Sequence, residues 1–248
     1  MTAPAPAAVA LLAGLALVAV GLFAVWLEIG RPLRALNVFF NPRTSWMSRE
    51  AIAAVVLGVF VLRAAWLHAT DSPGAVATGA AAALAALVFV GCQGMILRAA
   101  KGIPAWRSSA TPWLIVATSL AEGAGLWWIA AAAHAQGTRT GLALFGALLC
   151  VRRFAWLAWR RSIARNARAS AAMAPAGTAL SVLGTALPLG LAGVAAISTS
   201  PAVVLGLAGT AGALAFGTGI AFKIALVVRG AFNQGFAIPH MPVRGKRA

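Results

Sequence analysis

The stretch AVATGAAAALAALVFVGCQGMIL, residues 75–97, decides the fold, because it runs for twenty-three residues without a charge. A helix crosses about 30 Å of hydrocarbon with roughly 20 apolar residues, since lipid offers its backbone groups no partners and each must bond within the segment. Working outward, six more stretches of the 248-residue chain share this character, and the spans read as 7–27, 51–67, 75–97, 113–133, 141–159, 176–197 and 202–228. Breakers punctuate them: Gly30 with Pro32, Pro42, Pro73 with Gly74, Pro104, Pro112, Gly137, Pro175 and Pro201. Composition agrees, with 61% hydrophobic and 10% charged residues, where a soluble domain carries nearer half and a quarter. The expected fold is an all-α, polytopic integral membrane helical bundle of about seven transmembrane helices. It forms a single domain over residues 1–248, with no soluble domain between the spans. The leading MTAPAPAAVALL has no basic residue ahead of its apolar run and so lacks the layout of a cleaved signal. Span one is expected to be retained.

Twenty Lys and Arg against four Asp and Glu give a net charge of +16. In a polar chain this would suggest nucleic acid, but no surface here is polar enough to host such a groove. The basic residues instead set orientation, because Lys and Arg in short loops stay cytoplasmic. Eighteen of the twenty fall on the side of loops one, three and five and the tail, leaving only Arg63 and Arg139 opposite, where Asp71 also sits. The amino terminus is therefore expected outside and the tail in the cytoplasm. Arginines that dock a partner subunit would give the same count. Trp26, Trp46, Trp66, Trp106, Trp113 and Trp159 lie near span ends, as interfacial anchors should. The small-residue run GTAGALAFGTG, residues 209–219, reads as ordinary close helix packing.

Side-chain chemistry is scarce. The two cysteines, Cys92 and Cys150, are far apart and cannot supply a metal or cluster cage. With four acids and three histidines in all, an independent hydrolase is not expected. His68 and His134 fall at outer span ends, shallower than a bis-histidine haem requires, and read as interfacial residues. His240 lies in the polar tail. Glu122 is midway along span four, where it is either a hydrogen-bonded packing residue or a step on a proton path. Lys223 and the Arg152–Arg153 pair lie near cytoplasmic ends and are expected to snorkel to the interface.

Loop one differs. In WLEIGRPLRALNVFFNPRTSWMSREA, residues 26–51, Glu28 closes span one and Glu50 opens span two, with Arg31, Arg34, Arg43 and Arg49 interleaved. Charges at this depth are costly unless paired or functional, and a pocket there could take protons. Glu50 could equally serve only to start its helix, where the dipole favours an acid; Glu28 stands at a helix end that disfavours one.

These residues carry a resemblance. LEIGRPLRALN (27–37) followed by SWMSRE (45–50) resembles the signature of the DmsC-type membrane anchor of dimethyl sulfoxide reductase and its polysulfide-reductase-like relatives, which reads HLGxPLRAxN and then S-x-E. MILRAAKGIPAWRSSATPW (95–113) and KIALVVRGAFNQGFAIPHMP (223–242) are similar to later family stretches, in the same order. Glu28 stands where the signature has histidine, Glu50 matches its acid, and Arg31, Pro32, Leu33, Arg34, Ala35 and Asn37 fall within it. Anchors of the dimethyl sulfoxide reductase branch have one helix more, placed before the signature. The resemblance implies a haem-free subunit, not catalytic alone, that anchors a molybdopterin catalytic subunit and a four-cluster ferredoxin-like iron-sulfur subunit in the bacterial inner membrane. It implies exchange of electrons with ubiquinone or menaquinone. On that reading a quinone head binds between spans one to three, with Glu28, Arg31, Arg34, Arg49 and Glu50 at the site. Arg43, Arg98, Lys101 and Arg107 would dock the partners. The basic count places these on the cytoplasmic side, as in anchors of sulfite-oxidising and phenylacetyl-CoA oxidoreductase complexes. The rival readings are a small secondary transporter with Glu122 as its proton site, although no inverted repeat is visible, and a cytochrome b type subunit using His68 and His134.

Overall fold

The computed structural model describes residues 6–28, 32–100, 102–134 and 137–231. Among them there is no strand, and seven helical spans are long and apolar enough to cross a bilayer. The chain is thus an all-α polytopic bundle. In order come α1 (Pro6–Glu28), a short 3-10 stretch (Pro32–Phe40), α2 (Trp46–Ala69), α3 (Ala75–Ala99), α4 (Pro104–Arg107), α5 (Thr111–Ala133), α6 (Arg139–Ile163), α7 (Ala167–Ser181), α8 (Leu187–Ile197) and α9 (Pro201–Ala231).

Two spans begin earlier than the apolar pattern implies, each at a side-chain cap. Ser45 is extended and accepts from the Ser48 N–H at 3.3 Å, so α2 starts at Trp46 and takes Arg49 and Glu50 into its first turns. Asn166 accepts from the Ala169 N–H at 2.9 Å and starts α7 at Ala167, well before the expected 176. Pro175 then lies inside α7 instead of ending a loop. One π turn, Val182–Ala186, joins α7 to α8, so that Ala167–Ile197 forms a single span. Pro188 follows directly in α8, and the wide turn absorbs the ladder bond that a proline cannot make. In a bilayer a true break would leave backbone groups unsatisfied, so these prolines bend the span instead of interrupting it.

The chain divides into two compact units, Met1–Ile96 and Leu97–Ala248. In the first, Leu57 and Val61 of α2 meet Ala82, Ala85 and Phe89 of α3, with Leu11, Leu15 and Val18 of α1 packed against them. In the second, α5 and α9 approach backbone to backbone. A Cβ on Gly125 would lie 2.6 Å from the Gly212 carbonyl oxygen, and one on Gly209 would lie 2.9 Å from the Ala132 methyl. The small-residue run in α9 thus serves close packing. Around it lie Trp128, Phe145 and Leu149, all buried.

Trp66 and Trp113 are 69% and 72% exposed, as anchors at an interface should be. Trp159 departs from that expectation and is fully buried. Its indole N–H donates to the Ala105 carbonyl and to Thr111 Oγ1, both at 3.1 Å, and its ring stacks on Trp156. The turn around α4 supplies the acceptors that an interfacial indole would otherwise find in headgroups.

Candidate functional site

The rim of the first unit is where sequence placed the site. Glu28 is the last residue of α1 and is exposed, as are Arg34 and Asn37 on the 3-10 stretch. Arg31 lies outside the described residues. Arg49 is committed to the loop: its Nε donates to the Pro42 carbonyl at 2.8 Å and an Nη to the Arg43 carbonyl at 2.7 Å. Its guanidinium sits 4.2 Å over the Trp46 ring. With three partners already made, Arg49 braces the turn into α2. Glu50 is half-buried, and the Gln93 side chain of α3 lies near enough to interact with its carboxyl. Both Arg49 and Glu50 are within electrostatic reach of buried Cys92. Among the described residues no cation forms an ion pair with Glu28 or Glu50.

Deeper in the same unit lies an apolar groove of about 310 Å³, lined by Leu11, Leu15 and Val18 of α1, Leu57 and Val61 of α2, and Ala86 of α3. Glu50 stands seven residues before Leu57, and Gln93 seven after Ala86. Seven residues are two helical turns, so each polar residue shares a helix face with groove lining, about 10 Å along the axis. A carboxyl and a carboxamide therefore stand two turns beyond the groove on the same helix faces, outside its lining. Such a pair can hydrogen-bond a carbonyl or hydroxyl oxygen and exchange a proton with it. The sequence reading named Glu50 but missed Gln93; the seven-residue spacing to a small-residue face was the available signal.

The second unit holds a different cluster. Glu122, only 6% exposed, pairs with Lys223 Nζ through Oε2 at 2.5 Å, and Lys223 also reaches Ser119 Oγ at 3.5 Å. Arg152 is fully buried and donates to the Ala215 carbonyl at 3.0 Å and to Thr185 Oγ1 at 3.3 Å. Thr185 donates in turn to the Leu180 carbonyl at 2.9 Å. Glycines make room for this layer, since Gly219 abuts the Glu122 carboxyl and Gly184 abuts Thr218. Arg153 Nη1 donates to Ser181 Oγ at 2.7 Å. The expectation that Lys223, Arg152 and Arg153 snorkel is therefore corrected: each finds its partner inside the bundle, which spares it the reach to the interface. The signal was present, because Glu122 and Lys223 are each the single charge of their expected spans, and of opposite sign.

The remaining assignments scatter. Arg43, Arg98 and Arg107 are exposed, and Lys101 and His240 lie outside the described residues. His68 is half-buried in the last turn of α2 and His134 is exposed after α5. Among the described residues no three of His, Cys, Asp and Glu stand together as a metal set.

Seven apolar spans with charge gathered at rims and in one internal layer define a multi-pass membrane protein. The chain belongs to the DMSO reductase anchor subunit (DmsC) family, whose profile matches residues 7–183. It is accordingly a membrane anchor subunit of a DMSO reductase-type oxidoreductase complex. The match covers both halves of the loop-one signature, together with Glu122 and Arg152, and ends within the π turn. The tail stretch 223–242, read above as family-like, lies beyond it. No curated protein and no solved structure matches the chain.

Proposed function

We propose that this chain passes electrons between the iron-sulfur clusters of a partner subunit and the membrane quinone pool, with the quinone head held at the rim of α1, α2 and α3. The observation that carries the reading is the neighbouring Glu50 and Gln93 side chains, placed two turns along the same helix faces from an apolar groove. Its shape suits a ligand with two carbonyl oxygens on a small ring and a long prenyl tail. Gln93 holds one oxygen, and Glu50 gives or takes the proton that accompanies reduction or oxidation there. Glu28, at the end of α1, is the second carboxyl available to the other oxygen. Arg31 and Arg34 supply positive charge along the same rim, and Arg49 keeps the loop in shape around it. Redox chemistry comes from the quinone and from the partner's clusters; this chain contributes binding, orientation and proton transfer.

In this reading the partners are an iron-sulfur subunit and a molybdopterin catalytic subunit, docked on the basic rim through Arg43, Arg98, Lys101 and Arg107. Complementary charge there chiefly sets docking rate and register. The basic loops favour a bacterial inner membrane with the rim and tail in the cytoplasm and the amino terminus outside. Residues 1–248 act as one anchoring domain. Family membership favours this reading over a solute transporter. Glu122, with Lys223 as its counter-ion, serves first to hold α5 to α9, and its free Oε1 is the atom through which a proton path would run.

The test uses the intact complex. Glu50→Gln and Glu28→Gln should each lower quinone-linked turnover by about 100-fold or more while artificial dyes still exchange electrons with the partner subunits. Unchanged quinone turnover in both variants would remove the site from this rim.

A further inference from the structure

A groove of about 470 Å³ lies between α6 and α7 within the second unit. Arg153, Arg160 and Arg161 line it, and no carboxylate does. Arg160 and Arg161 are exposed in the last turn of α6, beside the loop that joins two membrane spans, and Ser170 faces them from α7. Arg153 lies seven residues back along α6, two turns or about 10 Å deeper, with Thr178 and Ser181 across from it. Ser181 engages one of its five N–H donors. Between rim and floor the wall is apolar, formed by Trp156 and Met173, with Gly177 giving the Trp156 ring its space.

We propose that this groove binds one anionic glycerophospholipid. The layers of donors match the layers of such a molecule. Its phosphate meets Arg160, Arg161 and Ser170 at headgroup level, its glycerol backbone passes the edges of Trp156 and Met173, its ester carbonyls accept from Arg153 and Thr178 below, and its chains continue past them into the hydrocarbon. A neutral quinone would leave the rim cations unmatched. An acidic segment arriving from the water side would have no reason to reach Arg153 two turns into the bilayer, and a free phosphate ion would use only the rim. This inference is independent of the quinone site, so either can fail alone.

The experiment is lipid exchange on the intact complex in nanodiscs of phosphatidylglycerol or phosphatidylcholine, read by mass spectrometry of the retained phospholipid. One phosphatidylglycerol should be kept in preference to phosphatidylcholine. Arg160→Gln with Arg161→Gln should weaken retention about 30-fold, at roughly fivefold per interfacial cation. Arg165→Gln with Arg168→Gln, which removes two charges nearby but outside the groove, should leave retention unchanged. Because the first double variant could disturb folding, Ser170→Leu, which keeps every charge and narrows the rim, should also expel the lipid while the unfolding temperature stays put. Equal retention of both lipids would overturn the proposal. So would displacement by millimolar inorganic phosphate, or a crosslink from Thr178→Cys to a partner subunit.

Discussion

The two units of this anchor treat charge in opposite ways. In the first, polar side chains stand at the rim around half-buried Glu50, and the helices below are almost pure hydrocarbon; only 6% of the α1 window is buried. In the second, half of the α5 window is buried, Glu122 is paired with Lys223, and Arg152 is held by a carbonyl of α9. The contrast separates two uses of an ionisable group in lipid. A carboxyl without a counter-ion at a rim is free to exchange a proton with a ligand, whereas one locked to a lysine fixes how two helices meet.

The comparison breaks most visibly at the α5–α9 crossing. Gly212→Leu would drive a side chain into the Gly125 backbone, which cannot give way as a rotamer could. A loss of about 3 kcal/mol or more is expected, seen as a collapse in unfolding temperature and in yield of the assembled complex. The equivalent change in the first unit, Gly14→Leu, faces open space and should be tolerated. Next comes Glu50→Gln, with an expected fall in quinone-linked turnover of about 100-fold, within the range for loss of a proton-transfer group. Thermal stability should hold, because Gln still pairs with Gln93.

Smaller is the cost of unpairing the buried layer. Glu122→Ala should destabilise by about 2 kcal/mol, below the figure for a fully buried pair because Lys223 remains about a third exposed. Glu122→Leu combined with Lys223→Leu should regain most of that in a double-mutant cycle measured by denaturant unfolding. If the double variant is as weak as the single, the pair does more than satisfy its own charges. Arg49→Gln should cost least, about 1 kcal/mol, through the two loop carbonyls it leaves. It should also loosen loop one, measurable as faster amide exchange at residues 43–46.

Much of this was legible in the chain. Spans announce themselves by length and apolarity because the bilayer imposes one solution on the backbone. The loop-one acids stood out because charge is scarce around them. The start of α2 was missed by five residues, since a serine cap inside a polar loop outweighed the end of the apolar run. Pro175 was misread because a proline in lipid bends a helix that it would end in water. Trp159 looked interfacial from its position, yet acceptors over fifty residues earlier in the chain drew it inward.

Sequence alone determined that this protein lives in a membrane, how many times it crosses, and which loop gathers its acids and arginines, because transfer from water to lipid is a property of each segment taken singly. Only the tertiary structure decided that Gln93 faces Glu50, that Lys223 belongs to Glu122, and that Arg152 ends on a carbonyl of α9. Partner choice within a bundle depends on the rotation and depth of neighbouring helices, and close contacts such as Gly125 against Gly212 set those.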